Sequence, residues 1–405
     1  MAHIGILPLG RPTFDVPFAE EKLAAILARL DASEHSISGP RTLLFDGPST
    51  EFAIDELLNA EVDHVLILQI TFTDAVMTLK AAEAFRQPLS IWAVPEPRLG
   101  GRLRLNAFCG LNLASHALKR AGREFGWLYG DAEADLEGLI AGQHISGYLP
   151  AADAAPHASE EGRAVATALR SKSIARIGPA PDGFVTCQYD ATALKSLAGV
   201  EVTELDLPQL FDKAKAAPAE AVAPIRAAAE ATLEGLDAVN QEELDRSLRL
   251  KHALDTLKSE QSFDAFAIRC WPETFTEYGG AVCGPVSMLG EARTPCACEA
   301  DVYGALTQLL MQEAADAPVF LVDLVDMDAT DNTGLVWHCG QAPISMRDPD
   351  AKPTATIHTN RQMPLLYEFP LKPGTVTLAR ISQANGAPSL VLTTAEMLKR
   401  PMAFT

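Results

Sequence analysis

Residues 4–30, IGILPLGRPTFDVPFAEEKLAAILARL, pass from a short apolar run to an amphipathic one through a turn that holds Gly10, Arg11 and Pro12. The run at 4–10 has the length of a buried strand, and the run at 18–30 repeats its apolar residues at helical spacing. The same alternation returns as RTLLFDG (41–47) and EFAIDELLNA (51–60), as HVLILQI (64–70) and AVMTLKAAEAF (75–85), and ends on PLSIWAVPE (88–96). Strand–helix–strand units in series predict a parallel sheet with helices on its faces. Ligands of such sheets sit beyond the carboxyl ends of the strands, which is where GRPTFD (10–15) falls. Arg11 could there meet an anionic or hydroxylated ligand, although the segment is equally a plain connecting loop.

A second cycle follows the Ala- and Pro-rich stretch GYLPAADAAPHASEEG (147–162). Helix RAVATALRS leads to strand IARIGPAP and then to VEVTELD; residues 209–258 have helical spacing, and DAFAIRCW (264–271) closes the cycle. Beyond residue 319 the runs VFLVDLVDM, GLVWHCG, TATIHT, PLLYEFP, GTVTLARIS and SLVLTT are short, β-rich and separated by turn residues. The reading is an α/β protein: an N-terminal α/β domain (1–150), a second Rossmann-like parallel-sheet domain (151–318) and a β-rich C-terminal domain (319–405). The last reads as short of a further segment.

The 405 residues are 48% hydrophobic and 21% charged, in the range of folded globular chains. A net charge of -20 disfavours nucleic acid and anionic membrane as partners, since both are polyanions, and points to small neutral or metal-chelated ligands. No apolar run approaches the roughly 20 residues of a membrane span, and the N-terminus lacks a basic start and a small-residue cleavage site, so a cytoplasmic protein is expected. The seven cysteines contain no CxxC pair and read as reduced thiols; Cys296 and Cys298, one residue apart, are the suggestive pair.

Two acids stand in apolar company. Glu299 precedes a helical face made of Val302, Ala305, Leu306, Leu309 and Leu310, and Asp323 interrupts the string from Val319 to Val325. A carboxylate among such neighbours needs a cation or a hydrogen-bond network. Two of them together suit a hard divalent ion, and they suit proton shuttling. His338 or His358 could complete the set. In FLVDLVDMDAT (320–330) the residues Asp326, Asp328 and Thr330 match the DxDxT pattern of haloacid-dehalogenase-type phosphatases. The segment that follows is too short and too β-rich for that core, so a polar turn through Asp326, Asp328, Asp331 and Asn332 is favoured. YGGAVCGPVSMLG (278–290) lacks both phosphate-binding glycine patterns.

GRPTFD, AIRCWPE (267–273), CEADVYGALT (298–307) and VFLVDLVD (319–326) together resemble the L-fucose isomerase/L-arabinose isomerase superfamily, in particular its shorter fucose-isomerase-like members, over nearly the whole chain. The resemblance implies a homo-oligomer, a bound Mn²⁺ or other divalent metal, and aldose–ketose interconversion of a sugar through an enediol. Glu299 and Asp323 match the family's metal-binding glutamate and aspartate, which also move protons between C1 and C2. Arg11 matches a pocket arginine, and Trp271 and Glu273 would face the same substrate. In fucose isomerases the third ligand is a histidine beyond the strand that GTVTLARIS resembles, and no histidine follows His358 here. Either that ligand lies past the chain end or His338 takes its place, as a histidine between ligand positions does in arabinose isomerases; His338 is selected. Two other readings of the same scaffold are a metal-dependent lyase or epimerase of a sugar acid and a non-enzymatic sugar-binding protein.

Overall fold

The structure is a computed structural model and describes residues 1–144 and 158–404. The expected boundary between residues 150 and 151, with most of the stretch 147–162, lies outside the described residues. The first five strands are β1 (His3–Leu9), β2 (Ser36–Ser38), β3 (His64–Gln69), β4 (Leu89–Ala93) and β5 (Gly126–Tyr129), with helices α1 (Val16–Asp31), α2 (Gly47–Asn59), α3 (Val76–Ala84), α4 (Ala107–Arg120) and α5 (Leu136–Ile140) between and after them. They form one parallel sheet in the order β2-β1-β3-β4-β5. All six residues of β3 are buried, as a central strand covered on both faces requires. Helix α1 starts at Asp15, whose carboxylate accepts the Phe18 N–H, and presses Ala19, Leu23, Ile26 and Leu30 onto the sheet. Burying each leucine or isoleucine contributes roughly 1.5–3 kcal/mol.

RTLLFDG does not form the second strand. The edge strand is Ser36–Ser38, and Leu44 meets the sheet through a single bridge to Leu9 of β1. Asp46 is committed instead to capping α2 through Ser49 N–H (2.8 Å), which pulls the end of the run out of the sheet, while Leu43 and Leu44 stay buried beneath it.

The second unit runs α6 (Glu160–Leu169), β6 (Ser173–Ile177), α7 (Ala191–Ala198), β7 (Glu201–Leu205), α8 (Leu207–Ala216), α9 (Ala219–Thr232), α10 (Gln241–Gln261), β8 (Ala265–Ile268), α11 (Cys283–Glu291), β9 (Cys296–Ala297) and α12 (Val302–Ala315). Its sheet is also parallel, in the order β7-β6-β8-β9. No helix of the described residues is long and apolar enough to cross a membrane.

The C-terminal region is antiparallel and β-rich: β10 (Asp323–Asp328) with β11 (Thr333–Trp337), β12 (Thr354–Thr356) with β13 (Leu366–Glu368), and β14 (Gly374–Ser382) with β15 (Ser389–Met397). Each pair rests on a different part of the α/β units. The Leu324 carbonyl accepts from Asn112 of α4 (3.2 Å), Tyr367 and Phe369 pack with Leu233, Leu244 and Leu248, and the Ile381 N–H donates to Thr307 of α12 (3.1 Å). Arg380 of β14 binds Asp301, which itself caps α12 through Gly304 N–H at 2.8 Å.

The strand at VFLVDLVDM begins only at Asp323, so residues 319, 321, 323 and 325 do not share one strand face. A register shift between Leu324 and Asp326 lets Val325 and Asp326 both be buried, which strict alternation forbids. Asp326 then takes the Arg98 guanidinium and the Tyr129 hydroxyl, both from the first unit. The first aspartate of the phosphatase-like pattern is therefore a clamp between units, and Asp328 does form the polar turn, accepting the Thr330 and Asp331 N–H groups at 2.9 and 3.2 Å. Replacing Asp326 by Ala strands a buried phenol and removes the counter-charge of Arg98. We expect Asp326→Ala to lower stability by roughly 2–4 kcal/mol and Asp328→Ala by under about 1 kcal/mol, read from urea unfolding.

Candidate active site

Each parallel sheet reverses its strand order once, the first between β1 and β3 and the second between β6 and β8. At such a reversal the loops leave the carboxyl edge in opposite directions and open a crevice. Here the two crevices face each other. From the first come Arg11, Thr71, Phe72 and Asp74; from the second come Phe184 and Trp271. The Arg11 N–H donates to Thr71 Oγ1 (2.8 Å) and its guanidinium pairs with Asp74 at 2.5 Å. That guanidinium stands 5.4 Å from the Phe72 ring centre and 5.5 Å from that of Trp271. Phe184 links the two rings, at 5.8 Å from Phe72 and edge-on at 5.4 Å from Trp271.

Trp271 carries the contact inward. Its indole N–H donates to Glu299 Oε1 at 3.0 Å, and the Cys270 thiol approaches the same oxygen at 3.5 Å. Glu299 sits in a short turn after β9, ahead of the helix rather than in its first turn, because Asp301 holds the capping position of α12. Glu299 and Ala300 have φ of 55° and 54°. Two successive side-chain-bearing residues in the left-handed region cost about 1–2 kcal/mol each, strain of the kind that accumulates at functional sites.

Asp323 opens β10 opposite Trp337 of β11, and His338 follows Trp337 directly. Asp323 is exposed at the rim and His338 is buried. His338 Nδ1 lies 2.8 Å from the Leu321 carbonyl; a carbonyl only accepts, so Nδ1 carries a proton and Nε2 is the ring nitrogen left for another partner. Burial holds the Glu299 carboxyl above the usual carboxylate range, nearby His338 opposes this, the charge of Asp323 adds to it, and the Trp271 and Cys270 hydrogen bonds draw it back. The three groups thus share one electrostatic environment.

The remaining residues singled out from sequence fall outside that trio. Glu273 gives its carboxylate to Arg269 at 2.7 Å. His358 closes its own turn: Nδ1 accepts from the Asn360 and Arg361 N–H groups at 3.2 and 3.3 Å, and burial drops its pKa to about 4. All seven cysteines are free thiols. Cys270 and Cys298 come together beside Glu299, with donor atoms within 4.8 Å of one another. Both thiols are pushed up, Cys270 by burial and Cys298 first by its hydrogen bond with Cys270 and then by burial. Cys270 serves Glu299 as a donor, while Cys298 accepts from Gln341 Nε2 at 2.8 Å. Asp323 and His338 act on the Glu299 carboxylate electrostatically, whereas the donor atoms that the described residues bring within 4.8 Å of one another here are those of Cys270, Cys298 and Glu299. Sequence reading missed Cys270, Phe72, Asp74 and Phe184; the first was legible as the neighbour of Trp271, the others only through the topology. Clefts beside Met288 and Tyr367 and beside Leu310 and Ile381 bring no such set together.

Comparison with known proteins shows the family. The N-terminal domain family of fucose/sulfoquinovose isomerases matches residues 5–153. The sulfoquinovose isomerase of Clostridium sp. (strain MSTE9) is 30% identical over 410 residues, spanning 99% of this chain and 87% of its own. The chain belongs to the fucose/sulfoquinovose isomerase family. The sulfoquinovose isomerases of Priestia megaterium (29% over 403 residues, 98% of this chain and 86% of theirs) and of Alkalicoccus urumqiensis (29% over 409 residues, 100% and 87%) are similar throughout as well. The family assignment makes the protein a sugar aldose–ketose isomerase.

Within this family member the Trp271–Glu299 bond should be worth more to turnover than to folding. Trp271→Phe keeps the ring beside Phe184 and removes the donor. A hydrogen bond to a charged group contributes roughly 1.5–3 kcal/mol, so kcat/KM is expected to fall about 10- to 100-fold while the thermal midpoint moves little.

Proposed function

We propose that the protein interconverts sulfoquinovose, the substrate named for its relatives, and the corresponding 2-ketose, using a divalent ion, Mn²⁺ by the resemblance, held by Glu299, Asp323 and His338 Nε2. The observation that carries the reading is the half-buried Glu299 carboxylate, fixed by Trp271 on a strained backbone and facing the charges of Asp323 and His338.

The reaction moves hydrogens only. The aldose loses the proton at C2 and gains one at C1, and a proton passes from O2 to O1. When bound, the ion would supply positive charge to the oxygens on C1 and C2. Glu299, whose carboxyl is held above the usual carboxylate range, is suited to take a proton from carbon and return it one carbon away. Trp271 keeps that carboxylate from rotating and offers a flat apolar face to the sugar's C–H groups. Arg11, anchored by Asp74 and Thr71, supplies hydrogen-bond donors from the opposite sheet. Asp323 stands at the open side, where it can exchange protons with solvent between turnovers. A homo-oligomer accords with the exposed row Leu390, Val391 and Leu392 on β15, apolar surface that a partner copy would cover.

The direct test is an assay of sulfoquinovose–ketose interconversion with and without Mn²⁺. Asp323→Asn, isosteric and exposed, is expected to lower kcat by about 10²–10⁴-fold with unfolding unchanged; retained activity would remove Asp323 from the mechanism. Excess Mn²⁺ should raise the melting temperature of the wild type but not of Glu299→Gln, because an ion bound only by the native fold stabilises it. No shift in the wild type would count against the metal site.

A further inference from the structure

Arg361 lies in the turn after β12, and its own backbone N–H is held by His358 Nδ1. His358 packs edge-on against Phe275 at 5.1 Å, and Phe275 belongs to the apolar cluster that touches Trp271, Cys339 and Met363. That chain of contacts runs from the turn to Trp271, the ring over which Arg11 stands. Among the described residues the Arg361 guanidinium has neither a carboxylate partner nor a side-chain hydrogen bond, although it is half-buried. Burial and the charge of Arg11 hold it below its ordinary basicity, so the two guanidiniums feel each other. Asp74 neutralises Arg11. What remains at this end of the crevice is one uncompensated positive charge.

We propose that Arg361, with Arg11 beside it, forms the subsite for the anionic group of the substrate and selects a monoanionic sulfonate. This rests on the isomerase reading above and names the residue that gives it charge specificity. A half-buried guanidinium without a counter-ion is unfavourable in the empty protein, and an incoming oxyanion relieves that while accepting two parallel N–H bonds. The balance of charge selects the class: two arginines and one aspartate match one negative charge, whereas a phosphate monoester brings about −1.5 to −2 at neutral pH. A chain of net charge -20 repels anions from most of its surface, so a local site of this kind is what admits one.

The test compares sulfoquinovose with quinovose, the same sugar lacking the sulfonate, in wild type and Arg361→Gln. The ratio of kcat/KM for the charged over the neutral sugar is expected to fall at least 30-fold in the variant, with KM carrying the change, and Arg361→Lys should restore part of it by keeping charge without the planar fork. Methanesulfonate alone should raise the melting temperature of the wild type more than methyl phosphate does, and neither should act on Arg361→Gln. Equal losses on both sugars, an unchanged ratio, or a methanesulfonate shift that survives Arg361→Gln would overturn the assignment, and a larger shift with methyl phosphate would overturn its selectivity. If Arg361→Gln does not fold, Arg361→Lys decides, since the proposal requires a lower ratio than wild type. Failure of the isomerase reading looks different: the wild type then turns over neither sugar, and binding of methanesulfonate still reports on Arg361.

Discussion

The hydrogen bond from the Trp271 indole to Glu299 joins the ends of two neighbouring parallel strands, β8 and β9, at the place where their sheet meets the other one. Each side chain needs it. The carboxylate is half-buried and would be left with a weak thiol contact as its remaining side-chain donor, and the indole would leave an N–H unpaired among Phe184, Phe275 and Arg11. Through the ring, the strained turn at Glu299 and Ala300 is held from the side on which Arg11 lies, so a residue of the first sheet helps fix an acid of the second. Preorganisation of this kind matters to an isomerase because its proton transfers tolerate little error in distance.

A second coupling works from the C-terminal region. Asp326 is gripped by Arg98 and Tyr129, and the carbonyl of Leu324 accepts from α4. Asp323 opens the hairpin, one residue before Leu324 and three before Asp326, so its place at the rim is set by contacts with the first unit. His338 is placed by the same hairpin, one residue beyond the partner of Asp323. One docked ladder thus delivers two polar groups to a cleft whose third, Glu299, comes from a different sheet. Losing the Asp326 clamp would misplace both without touching either.

Much of this architecture is legible in the residues. Buried strands such as β3 are runs of apolar residues without alternation, and amphipathic helices such as α1 follow them, so the parallel layout of both α/β units can be read directly. What escapes is local competition. Asp46 could end a strand or cap a helix, and the cap prevails because Gly47 and Pro48 favour the start of α2. The string from Val319 reads as one strand, yet the two buried residues Val325 and Asp326 force a register shift that no periodicity announces. At the site, Glu299 and Asp323 stand out because an acid among apolar neighbours demands an explanation, and His338 because it adjoins a β-run. Phe72, Phe184 and Asp74 carry no such mark; they matter only because two crevices happen to face one another. Glu273 looked equivalent to Trp271 in the same short motif, but its salt bridge to Arg269 is a helical-spacing contact that the sequence already contained.

Net charge is the clearest case of a global property pointing away from a local one. A chain at -20 reads as one that prefers neutral ligands, and across most of its surface the repulsion of anions is real. Yet charge acts over about a Debye length, roughly 8 Å at physiological ionic strength, so a substrate inside the crevice responds to the few groups lining it. There Glu299 feels the charge of Asp323, and in the proposed anion subsite the Arg361 guanidinium feels that of Arg11. A sugar carrying an anionic tail and a reactive head would be oriented by that division before any specific hydrogen bond formed. The asymmetry within the crevice, rather than the sum over the chain, is the electrostatic quantity that bears on specificity.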